Sequence, residues 1–124
     1  MKLKIRTLLF TLAALTFYSF NGICQATDLK NFIGYWTTDS SSVRTVIFKD
    51  KDDNFQMVIW DKNDCEMLEV SKIKFKDNEL KATEKTKSTN WETHDTYTIK
   101  DKNTLNCAIE REGGVTNITL VRVK

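Results

Sequence analysis

Residues 33–38 of this chain read Ile-Gly-Tyr-Trp-Thr-Thr and place one of its three tryptophans two positions after a glycine. β-Branched and aromatic residues dominate the stretch, which is the composition of a strand. Side chains alternate between the two faces of a strand, so Gly34 and Trp36 share one face. The sequence therefore predicts a first strand over residues 33–38 that carries a tryptophan on a defined face.

Polar clusters rich in Asp and Asn interrupt the chain downstream at intervals of about 11 to 15 residues, the spacing of consecutive antiparallel strands. These clusters must form the turns, because Asn and Asp accept left-handed backbone and the chain has only four glycines and no proline. The turns fall at residues 50–54, 61–64, 76–78, 87–90, 101–103 and 113–114. The intervening residues predict eight strands, over 33–38, 43–49, 55–60, 66–75, 79–86, 91–99, 104–111 and 115–123.

The fourth strand changes its apolar parity between Val70 and Ile73, which predicts a β-bulge at Ser71 and Lys72. A meander of eight strands must also protect its two edge strands, and closure into a barrel does this most directly. We therefore expect an all-β fold, an eight-stranded antiparallel up-and-down meander that closes into a small barrel. An open sheet or a sandwich has the same strand count and remains the alternative.

The Gly34-x-Trp36 pattern on the first strand resembles the signature that opens lipocalins and other calycins. In that superfamily the indole plugs the closed end of the barrel, and an arginine from the last strand usually lies across it. Arg122 is the matching residue here, because it shares a strand face with Ile118 and Leu120 near the end of the chain. The resemblance implies a lipocalin-like barrel in which Gly34, Trp36 and Arg122 are structural and the interior binds a small ligand.

Residues 1–26 have the pattern of an export signal, with a basic start at residues 2–6, an uncharged apolar run, and a cleavage site at residues 24–26. The apolar run is shorter than the roughly 20 residues of a membrane helix, so no stable membrane span is expected after cleavage. Residues 27–124 then form a single β-barrel domain that is exported and is periplasmic or secreted. Lipidation of Cys24 is the alternative processing.

Cleavage leaves Cys65 and Cys107, two of the three cysteines, in an oxidising compartment. Two cysteines are enough for one disulfide bond, and we expect Cys65 and Cys107 to form it. Cys107 lies between the apolar residues Leu105 and Ile109, however, so a buried free thiol is the alternative. A bridge between these strands would have to form across the barrel interior or through a folded-over loop.

The chain shows no motif for catalysis, for metal or cofactor binding, or for nucleic-acid recognition. The leader takes away three of the 19 basic residues and none of the 17 acidic ones, which leaves a nearly neutral chain and no reason to expect a nucleic-acid partner. His94 is the single histidine, too few for a catalytic triad or a histidine-based zinc site. Asp95 and Glu110 lie on neighbouring strands, but their spacing does not place the two carboxyl groups together. We therefore expect neither an enzyme nor a bound metal or cofactor.

Aromatic residues outside the plug are the candidate ligand-binding residues, namely Phe55, Trp60, Trp91 and Tyr97. Trp91 and Tyr97 share a face of the sixth strand with polar residues between them, which suits a small-ligand cavity if that face points inward. A filled core is the alternative for that face.

The expected function is binding of a small apolar molecule inside an exported, non-enzymatic barrel. A protein-interaction or inhibitor module that uses the barrel rim or an exposed edge is the alternative, and the oligomeric state is not predicted.

Overall fold

Eight antiparallel strands follow one another along residues 29–124, the part of the chain that the computed structural model describes. They are β1 (Gly34–Thr37), β2 (Val43–Lys49), β3 (Phe55–Asp61), β4 (Glu69–Lys76), β5 (Glu79–Lys85), β6 (Glu92–Asp101), β7 (Thr104–Arg111) and β8 (Gly114–Arg122). The all-β class and the up-and-down order predicted from the sequence are confirmed. The predicted signal peptide over residues 1–26, with Cys24, lies outside the described residues.

The barrel closes through its first and last strands. β1 pairs with β8, and Trp36 lies directly opposite Arg122 in that pair. On the other side, an isolated bridge joins Trp60 of β3 to Met67, which precedes β4, and β3 and β4 themselves are not paired. The eight strands therefore form a nearly closed barrel with one unpaired seam.

Asn and Asp residues form the turns, as the shortage of glycine and proline predicts. Left-handed φ angles occur at Asp53, Asp77, Asn78 and Asn90. The predicted bulge is also present, because the register of β4 against β5 shifts between Ser71 and Lys74 and Lys72 has a φ of 52°. Asn and Asp residues in left-handed backbone thus form three of the seven connections between strands, those of β2–β3, β4–β5 and β5–β6.

Inward-facing apolar residues of the strands form one core. A 3₁₀ turn over Leu29–Phe32 precedes β1 and was not expected, since one turn is too short to show a helical period. It places Phe32 at one end of the barrel, with its ring centroid 5.8 Å from that of Phe55 and 6.0 Å from that of Phe75. No helix within residues 29–124 is long and apolar enough to cross a membrane.

The predicted disulfide bond between Cys65 and Cys107 is wrong, because both cysteines are unpaired. Cys65 lies in the loop between β3 and β4 with its side chain exposed, whereas Cys107 is buried in the middle of β7. One thiol faces solvent and the other faces the barrel interior, so the sulfur atoms do not meet. The number of cysteines predicted a bridge, but it does not specify the face that each residue takes.

Candidate functional site

Trp36 and Arg122 plug the end of the barrel that carries the 3₁₀ turn. The Trp36 side chain is fully buried, and its Nε1–H donates to the carbonyl oxygen of Phe32 at 2.9 Å. The Arg122 guanidinium lies 4.4 Å from the centroid of the indole, a favourable cation–π distance. Its N–H groups donate to three backbone carbonyls, those of Asn31, Ile33 and Lys102. The guanidinium thus lies across the indole as the resemblance implies, although Arg122 itself is only half-buried, and this end of the barrel is closed.

Gly34 leaves room for that guanidinium. Its φ of +155° is a backbone conformation that other residues rarely adopt. A β-carbon placed on Gly34 would overlap Nη1 of Arg122, which the backbone carbonyls and the indole hold in position. The glycine and the tryptophan of the Gly-x-Trp pattern therefore both contact the same arginine.

The opposite half of the barrel encloses a cavity of about 390 Å³. Five apolar side chains form much of its lining, those of Val43, Leu68, Ile109, Ile118 and Leu120. Hydroxyl-bearing residues surround it as well, among them Thr38, Ser40, Ser41 and Thr86. Pockets for small molecules have volumes from about 300 Å³ upward, so this half of the barrel has room for a ligand.

Four polar side chains converge on the cavity from β5, β6 and β7, and we call Glu84, Asp95, Tyr97 and Cys107 the polar cluster. Asp95 and Tyr97 are two residues apart on β6, and Ala82 pairs with Asp95 across the sheet, which places Glu84 diagonally opposite Asp95. The Tyr97 hydroxyl donates to Oε1 of Glu84, and the Cys107 thiol donates to Oδ2 of Asp95 at 3.8 Å. Oδ1 of Asp95 has no hydrogen-bond partner among the described residues.

Burial dominates the electrostatics of the polar cluster. Burial first, and then the neighbouring charge of Asp95, raises the pKa of Glu84 to about 8. Burial also raises the pKa of Asp95, although hydrogen bonds from neighbouring side chains, Thr93 first and Glu84 next, offset part of that increase. The pKa values of Tyr97 and Cys107 are raised by burial as well. At neutral pH Glu84 therefore holds its proton, and burial disfavours the charged form of Asp95 as well.

The free energy of unfolding should fall as the pH is raised from about 5 to about 9. Glu84 ionises near its ordinary pKa of 4.5 in the unfolded chain but keeps its proton to about pH 8 in the barrel. The stability that Glu84 contributes is therefore complete below pH 4.5 and is lost as the pH rises through about 8. Urea unfolding across this pH range measures the effect.

Glu84→Gln should remove most of this pH dependence, because glutamine keeps the shape of the protonated side chain and does not titrate. Glu110→Gln is the matched control, since Glu110 is exposed on β7. A Glu84→Gln protein whose stability still falls as steeply with pH as that of the unsubstituted protein would contradict the assignment to Glu84.

Trp91 and Arg111 lie at the mouth of the cavity. Trp91 precedes β6 and is 61% exposed, and the guanidinium carbon of Arg111 lies 5.3 Å from its ring centroid. Both side chains also line the cavity. The mouth thus combines an aromatic surface with a positive charge, while the interior carries the acidic groups of the polar cluster.

The structure separates the four aromatic residues that the sequence offered as ligand contacts. Tyr97 and Trp91 line the same cavity, one inside and one at its mouth. Trp60 instead stacks on Tyr35 on the outer face of the barrel, with ring centroids 5.7 Å apart. Phe55 lies in the plugged half and borders a cleft of about 690 Å³ at the unpaired seam. Exposed charged residues such as Asp53 and Lys72 line that cleft, so the interior cavity is the better candidate site.

Asp95 pairs with a different carboxyl group from the one considered from the sequence. Glu110 lies opposite His94 on the outer face, whereas Asp95 lies opposite Ile109 on the inner face. The partner of Asp95 is Glu84, which sequence reasoning missed. The sequence does indicate that Glu84 faces inward, because Leu80, Ala82 and Glu84 are two residues apart and share one face of a predicted strand.

Comparison with known protein families, with curated proteins and with solved structures finds no match to this chain. The nearly closed eight-stranded barrel is compatible with a lipocalin-like fold. Two structural features carry that likeness, the meander order of the strands and the contact of Arg122 with Trp36.

Proposed function

We propose that the protein is an exported lipocalin-like binding protein that holds a small molecule in the open half of its barrel. The observation that carries this proposal is the interior cavity of about 390 Å³, which is closed at one end by Trp36 and open at the other. Its lining combines apolar side chains with a few buried polar groups, the usual composition of a ligand pocket. The apolar residues contact the body of the ligand, and Trp91 contacts the part that lies at the mouth.

Occupation of the cavity by a bulkier side chain tests the proposal. Ile118→Trp should weaken binding of the neutral, polarity-sensitive dye prodan at least about tenfold, because the indole takes the volume that the dye would fill. Val121→Trp is the matched control, since Val121 is on the same strand but is 50% exposed on the outer face. Fluorescence titration measures dye affinity, and thermal melting shows whether each variant is folded. Equal dye binding by the two variants, or no binding by the unsubstituted protein, contradicts the proposal.

A hydrolase is the second candidate function, because neighbouring buried carboxyl groups with raised pKa values can also serve as acid–base catalysts. The observation that favours it is the contact of Glu84 with Asp95 beside a cavity. Native mass spectrometry of protein purified from its own host separates the two functions. An intact small molecule that travels with the protein supports binding, whereas conversion of that molecule on incubation, lost in Glu84→Gln, supports hydrolysis.

A further inference from the structure

We propose that two copies of this chain form a two-fold symmetric dimer through the outside of the barrel at β8, β1, β2 and β3. The contact is made by a set of residues that we call the outer apolar face, namely Tyr35, Val46, Phe48, Val58, Trp60, Val121 and Val123. None of these residues lines the interior cavity, so the inference is independent of the proposed function.

The outer apolar face is one continuous surface. Tyr35 pairs with Val46, and Val46 pairs with Val58. On the other side of β1, the N–H of Val123 donates to the carbonyl oxygen of Tyr35 at 2.8 Å. These four residues therefore form a row across four neighbouring strands, and Trp60 stacks on Tyr35 beside it. The remaining two residues flank the row, namely Phe48 and Val121.

This face is exposed, although its composition is typical of a buried one. Its most exposed members have 37% to 50% of their surface in contact with solvent, namely Tyr35, Phe48, Val121 and Val123. Valine and aromatic residues also form the inner faces of β-sandwiches, in which two sheets pack about 10 Å apart. The outward residues of β4 to β7 are mostly charged or polar instead, for example Lys74, Lys81, His94, Asn106 and Glu110.

A second copy of the same face is the partner that fits it. By alternation, Arg44 is the one charged residue on the outer side of the described strands β1, β2, β3 and β8, and its guanidinium donates to the carbonyl oxygens of Ser41 and Val43. The face therefore offers little to an acidic or basic partner, and two copies meet without strong repulsion. A surface that binds membranes would instead surround its apolar residues with Lys and Arg.

Net charge does not oppose this association. Residues 29–124 contain 16 basic and 16 acidic side chains. A protein whose net charge is close to zero associates more readily than a strongly charged one.

The area of the face is sufficient for the centre of a dimer interface. With areas of about 150 to 250 Å² for each large side chain, the four most exposed residues present roughly 300 Å² of apolar surface. The other three residues of the face are half-buried and add to this area. A stable interface buries about 800 Å² on each partner, with an apolar centre and a polar rim. The rim is formed by polar residues that border the face, namely Thr37, Gln56 and Thr119.

Sedimentation velocity measures the association, with a reductant present so that exposed Cys65 does not cross-link two copies. Interfaces of standard size have dissociation constants of about 1 µM or lower, so the unsubstituted protein should sediment as a dimer at about 100 µM. Tyr35→Lys should weaken the association at least about a hundredfold, because it removes an aromatic contact and places a buried charge in each copy. Asn106→Lys is the matched control, since it adds the same charge at an exposed position of β7 and should leave the association unchanged.

A protein that stays monomeric at about 100 µM would overturn the inference. So would a dimer that Tyr35→Lys weakens no more than Asn106→Lys does. Circular dichroism shows whether Tyr35→Lys folds. If it does not, Val121→Lys takes its place, with an expected weakening of at least about tenfold, and a dimer that Val121→Lys leaves intact overturns the inference.

Flotation with vesicles of phosphatidylcholine tests a lipid surface as the occupant of the face. We expect the dimer not to float with the vesicles. Monomeric protein that floats with them, and that no longer does so after Tyr35→Lys, would assign the face to a membrane and overturn the inference.

Discussion

Trp36→Ala should lower the free energy of unfolding by roughly 3 to 5 kcal/mol. The substitution removes a fully buried indole, the hydrogen bond from its Nε1 to Phe32, and the surface on which Arg122 stacks. A loss of this size is a large part of the stability of an ordinary small domain, which is about 5 to 15 kcal/mol. Urea or guanidinium unfolding, followed by far-ultraviolet circular dichroism, measures it.

A double-mutant cycle then isolates the contact of Arg122 with Trp36. Arg122→Ala should destabilise the protein less than Trp36→Ala, because Arg122 is only half-buried. Most of its effect should disappear in the Trp36→Ala background, since the two side chains act together. Additive effects of the two substitutions would show that the guanidinium is held by the backbone carbonyls alone and that the indole contributes nothing to its position.

Gly34→Ala should cost at least about 2 kcal/mol, a large effect for the addition of one methyl group. The new β-carbon would overlap Nη1 of Arg122, and the φ of +155° is itself unfavourable for alanine. Relief of the overlap requires the guanidinium to leave both the indole and its backbone acceptors. Unfolding in urea measures the cost, and restoration of part of the stability by adding Arg122→Ala would confirm the cause.

Gly114→Ala is a closely matched control for this substitution. Gly114 has a φ of +149°, almost that of Gly34, but a β-carbon there would meet no atom within 4 Å. The backbone strain is therefore similar and the overlap is absent. If the two substitutions destabilise the protein equally, backbone conformation alone explains Gly34, and the proposed packing against Arg122 is wrong.

The strands could be predicted because their signals are local. Residues 43–49 and 104–111 were predicted as strands with the bounds that the structure gives to β2 and β7. Turn clusters of Asn and Asp mark the strand ends, and alternation of apolar residues indicates which face points inward. The inward orientation of Arg122 also followed from its spacing of two residues relative to Leu120 and of four relative to Ile118.

The cavity and its acidic lining could not be predicted with the same certainty, because they depend on contacts between strands. The alternation of β6 predicts that Asp95 and Tyr97 share a face, but only the register with β5 brings Glu84 to them. The exposure of Cys65 depends in the same way on the course of the β3–β4 loop. Volume is a property of the whole barrel, so the unfilled half is visible only once all eight strands are placed.

The pairing of β1 with β8 has a consequence for the order of events in folding. The other paired strands in the described chain are successive in sequence and can associate as hairpins. The pairing of β1 with β8 instead joins the two ends of the meander. Contacts between distant parts of a chain require more loop-closure entropy and slow the folding of β proteins. We therefore expect Arg122 and Trp36 to meet late, after the hairpins have formed, so that loss of their contact speeds unfolding more than it slows folding. The contact between the first and last strands would then slow the separation of β1 from β8, the step that opens the assembled barrel.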